Sequence, residues 1–106
     1  MRTFELRNIY KTVATNGTQE RLTANRIITS YLIVSAEVSN TGNVYVGDLD
    51  VSATRAFVEL DSGQRIQLDP KLIGMKGYFD LSAIWVDVSV NGDGAYFGYL
   101  IEKETE

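Results

Sequence analysis

Hydrophobic and polar residues alternate one by one along much of this chain, the period of strands whose side chains point by turns to opposite faces. The cleanest run is Tyr78 to Val90, where Ile84, Val86, Val88 and Val90 share one face and Trp85, Asp87 and Ser89 the other. From Arg26 to Ser39 lies the longest apolar segment, with Leu32, Val34, Ala36 and Val38 on one face. Its other face carries Tyr31 and Ile33 before turning polar at Ser35, Glu37 and Ser39, so the pattern predicts a central strand rich in β-branched residues. Ala56, Val58 and Leu60, then Ile66 and Leu68, keep the same period on either side of Asp61-Ser62-Gly63, and 55–60 and 64–69 read as the arms of a hairpin. Residues 95–101 are apolar on both faces, as expected of a central strand or a subunit contact.

Near the N-terminus the period slips. Phe4 and Leu6 share one parity, Ile9, Lys11 and Val13 the other, and a bulge near Asn8 reconciles them. Glycine with asparagine or aspartate marks the reversals: Asn16-Gly17, Asn40-Thr41-Gly42-Asn43, Asp61-Ser62-Gly63 and Asn91-Gly92-Asp93-Gly94. Residues 19–26 form a polar strand or loop anchored by Leu22, and 70–77, with the only proline, a loop or single helical turn. The acidic tail 102–106 is expected to fray. This predicts an all-β, single-domain, jelly-roll-like β-sandwich of about eight short antiparallel strands over residues 1–106, with 1–26 as an N-terminal arm or hairpin used in assembly. The segment 40–68, with its turns and strands, is the stretch around which the rest is organised.

Composition narrows the chemistry. A chain of 106 residues can bury about two-thirds of the surface its unfolded form exposes, enough for a core without staples. With no Cys and no His, disulfides, zinc sites of the usual ligands and Cys or His nucleophile chemistry are excluded. A net charge of −4 argues against nucleic acid as partner, and no apolar run approaches the ~20 residues of a membrane helix, so a soluble protein is expected. The charge is uneven: residues 1–26 hold five basic and two acidic side chains, +3, and residues 27–106 five and twelve, −7. Such asymmetry can steer subunits into register.

Candidate sites are few. Asp48 and Asp50 near Gly47 lack the spacing of a calcium loop, and Asp80 and Asp87 make a poor case for a glycosidase pair, so no catalytic, metal or cofactor residue is assigned and an enzyme is the least favoured class. The residues suited to contact are Trp85, Tyr96 and Tyr99, the apolar loop residues Leu72, Ile73 and Met75, and the basic Arg2 and Arg7.

The order Asn-x-Gly, hydrophobic-Tyr-Val-Gly, Asp, Val-Ser-Ala, strand, acidic-x-Gly, strand, followed by Asp80-Leu81-Ser82-Ala83-Ile84-Trp85-Val86, covers residues 27–90 and resembles small virion structural proteins of tailed bacteriophages. Arg55-Ala56-Phe57 departs from that pattern, which often has a glycine before the strand. The resemblance implies a non-enzymatic head decoration or cement protein, made in the host cytoplasm and carried on the capsid surface. Its implied partners are the major capsid protein or other virion proteins and further copies of itself, a trimer being favoured. A tail, neck or fibre-attachment module is the alternative, and a carbohydrate-binding module with exposed Tyr and Trp the next.

Overall fold

The computed structural model describes residues 2–69 and 77–104, and these described residues form ten strands and one short 3-10 turn, Leu81–Ala83. The strands are β1 (Arg2–Thr12), β2 (Glu20–Arg21), β3 (Ile28–Thr29), β4 (Leu32–Ala36), β5 (Val44–Gly47), β6 (Val58–Leu60), β7 (Arg65–Leu68), β8 (Phe79–Asp80), β9 (Trp85–Val88) and β10 (Gly94–Glu104). Every pairing is antiparallel and the set is nested: β1 with β10, β2 with β9, β3 with β8, β4 with β7 and β5 with β6. The chain is therefore one long hairpin whose tip is the 48–57 connection. Rolled up, it brings β10 against β4 and β9 against β5. The result is two facing four-stranded sheets, β1-β10-β4-β7 and β2-β9-β5-β6, with β3-β8 beside them, which is the strand order of a jelly roll.

Between the sheets lies the core. Leu32, Val34 and Ala36 of β4 and Ala95, Phe97 and Tyr99 of β10 meet Val44 and Val46 of β5, Val58 and Leu60 of β6 and Val86 and Val88 of β9. These are alternate residues of each strand, as burial of one face requires. Val13, Leu22 and Leu81 close the ends from the connections. Phe97 is the largest side chain with no exposure. Both β4 and β10 are interior strands, in agreement with their apolar sequences.

Four expectations need correction. The arms 55–60 and 64–69 do not pair: the Asp61 turn is formed, with Gln64 N–H donating to the Asp61 carbonyl at 3.0 Å and Gly63 at φ +76°, but β6 goes to β5 and β7 to β4. Turn chemistry sets the reversal; the choice of sheet is made by which partner completes each ladder and buries Val58 and Leu60. No bulge occurs at Asn8, since β1 runs in unbroken register against β10 with Asn8 opposite Gly98. The strand instead presents Phe4 and Leu6 to solvent. Val38 lies beyond the end of β4 and is exposed rather than in the shared face. Glu102, Lys103 and Glu104 do not fray but pair with Phe4, Thr3 and Arg2.

Candidate interaction surface

The space between the two sheets is filled by the core except at one end, and the two outer faces differ. Outside β9 and β5 of the second sheet, the connections fold back as covers. The Gly17 amide donates to the Asp87 carboxylate at 3.0 Å, and the Gln19 side chain donates to the Leu49 carbonyl at 2.6 Å. Gly47 leaves room for Val51, whose methyl would stand 3.1 Å from a β-carbon there. Tyr45, Val51 and Asp87 are consequently buried although none of them belongs to the main core cluster.

The outer face of the first sheet has no such cover among the described residues. On β1 it shows Phe4 at 63%, Leu6 at 84% and Tyr10 at 49% exposure, and on β10 Tyr96 at 44%. Half-buried Leu100 and Ile33 extend it across β10 and β4. Gly98, between Asn8 and Ile33 in the ladder, lacks a side chain and leaves a depression of about 250 Å³ that Tyr31, Ile33, Leu6 and Leu100 help to line. Tyr10 and Tyr96 are a directly opposed cross-strand pair whose rings stack at 4.5 Å with 28° between planes. Partial desolvation, with the Glu37 carboxylate as the next contributor, raises the Tyr10 hydroxyl pKa above its ordinary value. This is a contiguous apolar face of the kind that marks an interaction site.

The candidates from the sequence fall in different places. Tyr96 lies on this face. Tyr99 does not: it is only 6% exposed and belongs to the core, because odd positions of β10 point between the sheets. Trp85 is half-buried on the second sheet, where the Arg21 guanidinium sits 5.3 Å over its ring from the directly opposed position on β2. Arg7 holds the Glu5 carboxylate at 2.8 Å, and Lys103 approaches the same oxygen at 3.1 Å. Hydrogen bonds from Lys103 and then Arg7 lower the Glu5 pKa. Arg2 opens β1 opposite Glu104. Leu72, Ile73 and Met75 lie outside the described residues. The charge asymmetry along the sequence does not survive folding as a two-ended molecule, because the basic first strand is laid directly along the acidic last one.

Of the carboxylates weighed as chemical sites, Asp48, Asp80 and Asp87 accept hydrogen bonds from amides or a hydroxyl. Asp80 accepts from the Ser82 hydroxyl at 2.7 Å and the Ser82 amide at 3.0 Å, which lower its pKa, and Asp48 accepts from the Asp50 amide at 2.9 Å. Asp87 accepts from the amides of Gly17 and Val88. A separate apolar cavity of about 560 Å³ opens at one end of the sandwich between Leu32 and Leu68 of the first sheet, Val46 and Gly47 of the second, and Phe57, Phe79 and Ile84. Phe4, Leu6, Tyr10, Ile33 and Leu100 are contact residues that the alternation did not single out; for Phe4 and Leu6 of β1 the signal is the change of parity along the strand. Searches of protein-family models, curated proteins and solved structures found no match to this chain.

Proposed function

We propose that this protein is a non-enzymatic virion structural subunit, a capsid decoration or cement protein that attaches to the major capsid protein of an assembled phage head. The observation that supports this reading is the uncovered apolar face of the β1-β10-β4-β7 sheet, centred on Phe4, Leu6, Tyr10 and Tyr96. Exposed apolar side chains grouped on one face of a small domain favour docking on a second apolar surface over remaining in water. A subunit that binds only the assembled lattice stabilises that lattice by mass action. A sugar platform is less well supported: stacking of Tyr10 on Tyr96 turns their ring faces toward each other instead of setting them side by side.

The test is co-sedimentation of the protein with empty phage heads, with Leu6→Asp as the paired variant. Leu6 is exposed and outside the core, so the variant keeps its fold. Removing one large apolar contact of about 1.5–3 kcal/mol should weaken head binding ~10- to 100-fold. Heads that pellet without the protein, or bind wild type and Leu6→Asp alike, would overturn the reading.

A further inference from the structure

The four edges of the two four-stranded sheets are not alike. β7, β2 and β6 present four, two and three residues, short enough to offer little to a foreign strand. The fourth edge, β1, is an eleven-residue strand in continuous register with β10, with neither a proline nor a bulge. Among the described residues no strand pairs with its other side. A long, regular edge with a free row of amides and carbonyls is a template for a further strand.

We propose that this edge takes β1 of a second copy, joining two molecules about a two-fold axis into one eight-stranded antiparallel sheet. The choice of a second copy rests on the self-complementarity of β1. With the axis at Asn8, Asn8 meets Asn8, Leu6 meets Tyr10 and Phe4 meets Thr12 of the other copy, and Glu5 meets Lys11. The apolar contacts fall on the outer face and the opposite charges on the inner one, each occurring twice as a two-fold contact demands. Moving the axis to Arg7 sets two guanidiniums against each other, and moving it to Glu5 sets two carboxylates. An axis at Leu6 opposes Phe4 to Asn8 and so buries less apolar surface. Pairing of this kind closes at two copies, in contrast to the trimer expected from the sequence, and fuses the two outer faces into one apolar surface twice as wide. It holds whether or not the protein binds a capsid.

The chain contains no cysteine, so single replacements report the register directly. Asn8→Cys sits on the axis and should oxidise to a covalent dimer at least tenfold faster than Leu6→Cys, whose two copies stand about 13 Å apart in this register, or Phe57→Cys, exposed and away from the edge. Sedimentation velocity of the unmodified protein should give twice the chain mass, with Leu6→Lys at least tenfold weaker in association. A concentration-independent monomer, or cross-linking at Leu6→Cys in preference to Asn8→Cys, would overturn the inference. A monomer that still coats heads removes this inference alone, whereas a dimer that ignores heads removes only the decoration reading.

Discussion

The Asn40 side chain reaches Gly94, 54 positions away, donating to its carbonyl at 2.8 Å and accepting from its amide at 3.1 Å. Beside it the Asp93 carboxylate accepts from the Gly42 amide at 2.9 Å. These contacts fasten the β4-to-β5 connection to the β9-to-β10 connection, and Asn40, Asp93 and Gly94 are all buried. In sequence the same residues show only turn chemistry. Asn40→Ala would leave the buried Gly94 amide without this partner, while the Gly94 carbonyl keeps the Glu37 amide as donor at 3.1 Å, at a cost of about 1–3 kcal/mol. A urea titration should show a lowered midpoint with an unchanged slope; an unchanged midpoint would mean that water replaces the amide. Gly94 has a second constraint, since a β-carbon there would strike the Lys11 carbonyl oxygen. That close approach is a reason for glycine which its turn motif did not reveal.

Among the elements, the corner from β1 to β2 is held in part by the Glu20 carboxylate. Glu20 accepts from the Ala14 amide and from the Lys11 ammonium, both at 2.9 Å, so it ties the end of β1 to β2 across the Asn16-Gly17 turn. The amide and then the ammonium favour its charged form and lower its pKa below the ordinary glutamate value. A lowered folded-state pKa means that the contribution is complete above the unfolded value of about 4.3 and is lost as pH falls through the lower folded value. Wild type should therefore be more stable than Glu20→Gln at pH 7, with the gap narrowing as pH falls below about 4.3 in paired urea titrations. A gap that stays constant with pH would show that packing, not charge, holds the corner. At this scale the sequence was readable where one face of a strand is buried and the other polar, as in β9, but not in β10, whose two apolar faces left Tyr99 among the contact residues. It was misread in β1, where apolar residues lie on the outside and periodicity alone does not say which parity faces the core.

For the molecule as a whole, the nested hairpin makes the first and last strands neighbours and places almost every ladder between residues far apart in sequence. Loops must close before those contacts form, so folding should be slow for a domain of this size, on the order of milliseconds to seconds. Trp85, the single tryptophan, lies in the β2-β9 pairing and provides the probe for stopped-flow refolding. Completion within microseconds would contradict this topology as the main barrier.

The sequence by itself determined the all-β class, the positions of the tight turns and most of the inward residues, because alternation, β-branching and Gly, Asn and Asp turn chemistry act within a few residues. Only the tertiary structure decided that β6 and β7 belong to different sheets, that Tyr99 is core while Leu6 is surface, and that Asn40 anchors a distant connection. Each of those outcomes depends on which strands meet across the whole chain: a strand's two faces are equivalent until a second sheet covers one of them, and an amide's partner is unspecified until folding brings one within reach.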